Sequence, residues 1–336
     1  LPEPPAESYS DNLISDAKDF SDNAVIVLAR AGGEQTDLPR DVYSVTYTDN
    51  SDDYKDFPEG THYLEPSQSE RNMIDLVCKN FDNVILVYNS SNTMELGIAD
   101  EYKQIKSVIW CPGTGQNGFN ALGEVISGEI NPSAKTADTF ARDLTVAPSW
   151  NNFGDFAYDN MDEFKVSDSD PYVPGAVPHF VNYTEGIYVG YKFYETAAEE
   201  GLINYEDAVQ YPFGYGLSYT DFVYGGLQIS SETLPKNGEL TVSVTVTNKG
   251  NYDGYETVQL YLRDIYAEVA RPMKELKGFE RIFLKSGESR DVKFVITKDD
   301  LKFYNSELHY VYEPGEFDVM VGPNSRDVQT KSFQAK

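Results

Sequence analysis

A loop near the N-terminus carries an acidic side chain in a setting suited to proton transfer. An apolar run at residues 24–29 has the length of a strand, and Arg30, Gly32, Gly33 and Glu34 follow it directly. Ligands of parallel sheets gather at the carboxyl ends of the strands, and the two glycines let the backbone turn sharply there. A carboxyl group held beside a leaving oxygen acts as a general acid, as in the cleavage of glycosides. Glu34 is therefore a candidate general acid; the alternative is a solvated loop carboxylate in a chain with 55 acidic residues.

A glycine-rich turn offers a different chemistry. Gly113, Gly115 and Gly118 form a G-x-G-x-x-G pattern between a strand-like run and a helical pattern, and Asp138 follows further along the chain. In a dinucleotide-binding fingerprint such an acidic residue binds the ribose. Pro112 precedes the first glycine and no clear second strand presents Asp138, which favours a tight strand-to-helix turn that needs small residues.

Aromatic side chains concentrate between residues 150 and 194 of a chain that holds 25 tyrosines. Aromatic rings stack on the apolar faces of sugars, although core packing is the commoner role of such residues. Three widely spaced histidines and two cysteines make no metal-ligand pattern, so we expect neither a metal nor a cofactor. The aromatic cluster consists of Trp150, Phe153, Phe156, Tyr158, Tyr183, Tyr188, Tyr191 and Tyr194.

Strand-like and helix-like segments alternate around the Glu34 loop. Residues 84–88 and 107–111 are further short apolar runs, which are typical of parallel strands covered on both faces. Ser67 and Glu70 form a capping box that predicts the start of a helix. A second helix is predicted at residues 117–127. The predicted inward faces consist of Met73, Ile74, Val77 and Cys78 in the first helix and of Phe119, Leu122, Val125 and Ile126 in the second.

The pattern changes from about residue 217 onward. Residues 240–247 alternate strictly between apolar and polar, and residues 258–262, 291–296 and 317–321 show the same period. Short strands of period two with turn signals between them indicate a β-sandwich. We therefore predict an α/β domain at 1–145, an irregular aromatic-rich connecting region packed on it at 146–216, and an all-β sandwich at 217–336.

The charge of the chain restricts its partners. Lys and Arg total 27 against 55 Asp and Glu, which leaves a net charge of −28. Such a chain repels phosphate backbones and anionic lipids, and no apolar run reaches the roughly 18 residues of a membrane helix. We expect no nucleic-acid partner and no membrane span, whereas a neutral polyol is indifferent to this field.

Several segments together resemble the C-terminal half of a glycoside hydrolase family 3 enzyme of the β-glucosidase type. The segment from Arg30 through Glu34 to Asp37 resembles the acid/base loop of that family. Residues 110–122 resemble its PGQ-xG-xAL element, and residues 128–135 its G-x-x-NPSGK element. Residues 212–220 read PFGYGLSYT, and residues 271–279 resemble the signature of its fibronectin III-like module.

This resemblance implies an α/β sandwich (a mostly parallel sheet with flanking helices) followed by a fibronectin type III-like sandwich. It also implies a retaining, exo-acting hydrolase of terminal non-reducing β-D-glucosyl residues, with Glu34 as general acid/base. In the family the nucleophile is an Asp on a separate (β/α)8 barrel, for which these 336 residues leave no room. The chain would thus hold half a site, inactive alone, and present its acid across an interface to a barrel in another segment or chain.

Further candidates on the substrate side are Arg30, Asp37 and Arg40 of this loop and Trp150 of the aromatic-rich region. Two departures from the family pattern fall in this loop. Gln35 replaces the common glycine, and Leu38 replaces an arginine for which Arg40 or Arg30 can substitute.

The alternative function is a non-catalytic carbohydrate-binding or assembly module of the same fold. The sugar, the linkage and assembly into a homo-oligomer stay open. The compartment is unknown, with the acidic surface favouring an extracellular or cell-surface setting.

Overall fold

The computed structural model describes residues 3–30, 56–58, 60–152, 156–236 and 238–336. Short 3-10 turns separate several of the elements. The helices are α1 (Asp11–Phe20), α2 (Gln68–Asn80), α3 (Ile98–Glu101), α4 (Gly118–Ile126), α5 (Tyr191–Glu199) and α6 (Tyr205–Ala208). The first eight strands are β1 (Asn23–Ala29), β2 (Asn83–Asn89), β3 (Ile105–Trp110), β4 (Phe140–Ala141), β5 (Val209–Tyr211), β6 (Phe222–Tyr224), β7 (Gln228–Ile229) and β8 (Thr233–Leu234). The remaining strands are β9 (Leu240–Asn248), β10 (Gly254–Asp264), β11 (Glu275–Leu284), β12 (Ser289–Ile296), β13 (Phe303–Tyr304), β14 (Tyr310–Val311), β15 (Gly315–Gly322) and β16 (Gln329–Ala335).

The chain divides into two compact units. Unit 1 comprises Leu1–Val87, Ile98–Val108 and Leu144–Val189, and unit 2 comprises Tyr88–Gly97, Ile109–Asp143 and Gly190–Lys336. The domain boundaries expected at residues 145 and 216 stay predictions. No helix of the described ranges combines the length and apolarity that a bilayer crossing requires.

The predicted strands and helices of the first part are present, in the order β1-β2-β3 within one sheet. The Val84 N–H donates to the Gln104 carbonyl and the Cys111 N–H to the Tyr88 carbonyl, each at 2.8 Å. Residue numbers rise together along these two bonds, so β2 and β3 run parallel. Helix α2 begins at the predicted capping box, and Met73, Ile74 and Cys78 on its predicted inward face are buried.

Two predicted burial patterns are met only in part. Strand β1 buries Ile26 and Leu28 but leaves Val25 and Val27 50% and 51% exposed, so among the described residues one of its faces is covered and the other is not. Helix α4 forms as predicted, and Leu122, Val125 and Ile126 of its predicted inward face are half-buried, whereas Phe119 is 45% exposed. An apolar pattern shows which face of an element can be buried, but it does not show whether other residues of this chain pack against that face.

Unit 2 contains the predicted β-sandwich. One sheet has the order β11-β10-β15-β16-β8, and the other has the order β12-β9-β6 with β7 paired to β9. Leu240, Val242, Val244 and Val246 of β9 alternate into the core and are at most 2% exposed. Val258, Leu260 and Leu262 of β10 meet them from the opposite sheet. The strict period-two pattern therefore gives a half-buried strand, as expected.

Polar residues in unit 2 join two of the segments that resemble family elements, at residues 131–135 and 216–219. The Asn131 Oδ1 accepts hydrogen bonds from the Ser218 hydroxyl at 2.9 Å and the Tyr219 N–H at 2.8 Å. The Lys135 ammonium donates to the Gly216 carbonyl at 2.9 Å and pairs with Glu256 at 3.1 Å. These side chains tie the segments at 131–135 and 216–219 together and supply structure rather than chemistry.

A buried ion pair holds the 271–279 segment. The Lys274 ammonium lies 3.1 Å from Glu195 Oε2 and donates to the Ser325 carbonyl at 2.6 Å. The Tyr205 hydroxyl donates to Glu195 Oε1 at 3.0 Å. Burial lowers the pKa of the Lys274 amine, while the Glu195 carboxylate opposes that shift. Both buried charges therefore have hydrogen-bond partners besides each other, which offsets part of the cost of burying them.

A glycine of the PFGYGLSYT segment is required by its surroundings. Gly214 has a φ of +78°, and a Cβ there would lie 2.1 Å from Gln259 Oε1. Gln259 cannot move away, because its amide donates to the Gly214 and Pro323 carbonyls and its oxygen accepts from the Tyr261 hydroxyl.

We expect Gly214→Ala to lower the free energy of unfolding by about 2–5 kcal/mol, since strain at positive φ adds to a broken buried hydrogen-bond network. Gly287 is the matched control, because it has the same φ of +78° with open space around it. Gly287→Ala should cost only the strain, about 1–2 kcal/mol. Urea unfolding of both variants checks this, and equal losses would contradict it.

Candidate active site

The sequence-predicted acid/base residue lies on a segment outside the described residues. Glu34, Asp37 and Arg40 all fall within residues 31–55, which the structure does not describe. Its two flanks are described: Arg30 follows β1 on one side, and Asp56 stands on the other. The flanks of this segment and the residues that contact them all belong to unit 1.

Arg30 uses every N–H of its guanidinium within the protein. Its two terminal nitrogens donate to the two carboxylate oxygens of Glu70, at 2.6 and 2.7 Å. The remaining donors go to backbone carbonyls, with Nε to Tyr63 at 2.5 Å, Nη1 to Ala29 at 2.7 Å and Nη2 to Glu65 at 2.7 Å. Five N–H groups are all that a guanidinium has.

The surroundings of Arg30 fit a buried anchor. The residue is 7% exposed, and its guanidinium carbon lies 5.1 Å from the centre of the Tyr63 ring and 5.7 Å from that of Phe57. A bidentate contact to a carboxylate, flanked by aromatic rings, is the geometry in which arginine is held most firmly. Arg30 was expected among the residues facing the substrate, whereas the structure buries its side chain in contacts with Glu70 and nearby backbone carbonyls.

Glu70 links this anchor to the first turn of α2. Its Oε2 also accepts the Ser67 N–H at 2.7 Å, and the Ser67 hydroxyl accepts the Glu70 N–H at 3.2 Å. This reciprocal pair is the predicted capping box, which satisfies two N–H groups that a helix start leaves open. The same carboxylate thus caps α2 and neutralises Arg30.

Asp56, at the far side of the undescribed segment, meets the same helix turn. Its Oδ2 accepts the Ser67 hydroxyl at 2.5 Å and the Ser69 N–H at 2.9 Å, and its Oδ1 accepts the Ser69 hydroxyl at 2.9 Å. A carboxylate at a helix N-terminus is favoured by the open N–H groups and the helix dipole. The residues on both sides of 31–55 therefore make hydrogen bonds to side chains or N–H groups of residues 67–70 at the start of α2.

Trp150 packs against a buried histidine. The ring centres of Trp150 and His62 lie 4.8 Å apart, and His62 is 5% exposed. The His62 Nδ1 accepts the Leu64 N–H at 3.2 Å, and its Nε2 lies 3.7 Å from a Glu65 carboxylate oxygen. Trp150 is thereby tied to the segment that follows Asp56, and it stays a candidate for the substrate side.

Sequence reasoning missed Asp56 and His62 and did not pair Arg30 with Glu70. The capping box was found because its two members stand three residues apart in a known pattern. Arg30 and Glu70 are 40 residues apart in the sequence, so no short-range spacing pattern indicates that they are in contact.

The turn at residues 113–118 needs its glycines for backbone reasons. Gly113 and Gly115 have φ values of +52° and +59°, and a Cβ on Gly118 would lie 2.9 Å from the Thr114 Cβ. A tight turn into α4 accounts for the three glycines by itself.

Known proteins resemble this chain over nearly its whole length. Residues 8–191, more than half of the chain, match the glycosyl hydrolase family 3 C-terminal domain, and residues 256–325 match the fibronectin type III-like domain. The thermostable β-glucosidase B of Acetivibrio thermocellus is 32% identical over 97% of this chain and 37% of its own length. An exo-α-(1→6)-L-arabinopyranosidase of Bifidobacterium breve is 34% identical over 79% of this chain and 31% of its own length.

A solved structure shows the same fold. The β-glucosidase 3B of Thermotoga neapolitana, in complex with α-D-glucose, superposes with a TM-score of 0.75 at 29% identity. That match covers 99% of this chain and 40% of the other. The chain thus spans about two fifths or less of the length of these three proteins. The resemblance inferred from the sequence motifs, and the α/β sandwich followed by a fibronectin-like sandwich, are confirmed.

Replacing Arg30 by Met should destabilise unit 1 by roughly 3–5 kcal/mol, because it leaves the buried Glu70 carboxylate without its partner. Asp75→Asn is the control on the same helix, since the Asp75–Lys79 pair is exposed. That substitution should change stability little, because exposed pairs contribute little.

Thermal and urea unfolding of both variants checks the contrast. Equal small effects would show that the Arg30–Glu70 contact is not an anchor.

Proposed function

The chain belongs to glycosyl hydrolase family 3, and from this premise we propose that it is the acid/base-bearing portion of a retaining, exo-acting β-glucosidase-type enzyme. Its expected reaction removes terminal non-reducing β-D-glucosyl residues. Two β-glucosidases among the similar proteins support this sugar, while the arabinopyranosidase among them shows that family members differ in the glycoside that they cleave.

The proposed reaction has two steps. Glu34 donates its carboxyl proton to the glycosidic oxygen as the bond from that oxygen to the anomeric carbon breaks, and a nucleophilic Asp forms an ester to the same carbon. The Glu34 carboxylate then takes a proton from water, whose oxygen attacks the anomeric carbon and releases the Asp. A retaining site needs the two carboxyl groups roughly 5–5.5 Å apart.

The nucleophile is proposed to come from a (β/α)8 barrel outside these residues. The chain spans 37% of its Acetivibrio relative, which leaves ample length there for a further domain. Glu34 would then face the barrel across an interface, and the chain alone would hold no complete site.

The observation that carries the proposal is the fastening of both flanks of the Glu34 segment to one helix turn. Arg30 contacts Glu70, and Asp56 contacts Ser67 and Ser69. Proton transfer depends on a carboxyl held at hydrogen-bond distance from the reacting oxygen, so a catalytic loop needs fixed ends. In this proposal Arg30 is a positioning residue, and Asp37, Arg40 and Trp150 stay candidates for contact with the sugar.

A test needs this chain alone and a fusion enzyme. The fusion joins this chain to the portion of the Acetivibrio enzyme that it does not cover. We expect no hydrolysis of 4-nitrophenyl β-D-glucoside by the chain alone and measurable turnover by the fusion. Glu34→Gln should lower the kcat of the fusion about 10²–10⁴-fold, the usual size of a general-acid contribution.

Glu129→Gln is the control, since Glu129 is an exposed carboxylate of unit 2. Full activity of the Glu34→Gln fusion would remove Glu34 from the reaction. Glu34-dependent turnover by the chain alone would place the nucleophile within these 336 residues.

A further inference from the structure

A cavity of about 550 Å³ lies in unit 2, beneath the loop that joins β10 to β11. Its walls are the end of β10, residues 265–271 of that loop and the C-terminal end of α5. The volume falls in the usual range of about 300–1,000 Å³ for small-molecule sites.

Two opposite charges face this cavity without meeting each other. Arg263 lines it from β10 and Glu200 from the end of α5. Within the described ranges, neither side chain has a hydrogen-bond or ion-pair partner. Arg263 stands on the outer face of β10, since the neighbouring Leu262 points into the core. A guanidinium and a carboxylate that line one cavity and stay apart leave donors and acceptors for a molecule between them.

An aromatic ring stands at the rim. Tyr266 is 78% exposed, and its N–H donates to Asp264 Oδ1 at 3.2 Å, which fixes the backbone that carries the ring. The other Asp264 oxygen, Oδ2, is buried and has no hydrogen-bond partner in the described chain. Burial raises the pKa of the Asp264 carboxyl. The ring therefore projects from a fixed point beside the polar groups.

The walls are held in place before any ligand arrives. The Met273 N–H donates to the Thr196 hydroxyl at 2.9 Å, which joins the loop to α5. Arg271 pairs with Glu275 at 2.5 Å, and the Glu268 N–H donates to Glu313 at 3.0 Å. A site formed in advance loses little ordering entropy on binding.

The mixture of charges decides the ligand class. A simple anion is disfavoured by Glu200, Glu268 and Asp264, and a simple cation by Arg263 and Arg271. Sugar hydroxyls both donate and accept, and the apolar face of a pyranose stacks on an aromatic ring. We propose that this cavity is a second carbohydrate site, which binds a neutral oligosaccharide through Arg263, Glu200 and Tyr266. The proposal rests on the proposed function only for the expectation that such sugars reach the protein.

The test is titration calorimetry of the 336-residue chain with neutral tetrasaccharides of β-linked glucose, of xylose and of arabinose. Binding of at least one should weaken about tenfold or more in Arg263→Met and in Tyr266→Ala. Tyr252→Ala and Arg290→Met are the matched controls. Tyr252 is a 61% exposed tyrosine just before β10, so it lies near the opposite end of that strand from Tyr266. Glu200→Gln supplies a third variant if the Arg263 or the Tyr266 substitution disturbs folding.

The outcomes separate this site from the catalytic one. Binding that survives Glu34→Gln but falls with Arg263→Met supports the cavity, even if the fusion enzyme proves inactive. Two results would overturn it: no binding of any of the three tetrasaccharides, or unchanged binding in the Arg263, Tyr266 and Glu200 variants.

Discussion

A buried contact between one guanidinium and one carboxylate organises the candidate catalytic half of this chain. Arg30 and Glu70 meet through two hydrogen bonds with side chains that are 3% and 11% exposed. Removing two such charges from water costs several kcal/mol each, which good geometry and complete hydrogen bonding must offset. Here all five guanidinium donors have acceptors. Because Glu70 also caps α2, the contact joins the end of β1 to the start of α2. Arg30, the residue that precedes the Glu34 segment, is thereby held at that helix start.

The two units use their polar residues differently. In unit 2 the segments that resemble family signatures stabilise the fold. Examples are the buried Lys274–Glu195 pair and the packing of the Gln259 side chain against Gly214. In unit 1 the polar network surrounds the flanks of a segment proposed to carry chemistry. A signature segment can thus mark a family through its packing demands alone.

Local patterns made much of the fold predictable from the sequence. The α2 capping box and the alternation of β9 depend on neighbours within a few residues, and both were predicted. The extent to which β1 and α4 are buried was not predicted correctly, because the pattern of an apolar face does not show which residues will pack on it. The contacts of Arg30 and Asp56 were missed as well, since their partners lie 40 and 11–13 residues away. Glu34 itself was proposed from its position after an apolar run and two glycines and from the family resemblance.

The most direct test of the central claim uses the Glu34→Gln fusion enzyme with 2,4-dinitrophenyl β-D-glucoside and sodium azide. The 2,4-dinitrophenolate leaving group departs without protonation, so the first step should proceed. The glycosyl ester should then accumulate, because no base activates the water that hydrolyses it. Azide is an anion that attacks without surrendering a proton. The account predicts faster turnover with azide and β-glucosyl azide as the product. A rate indifferent to azide, or an α-glucosyl azide product, would contradict the assignment of Glu34 as the acid/base of a retaining site.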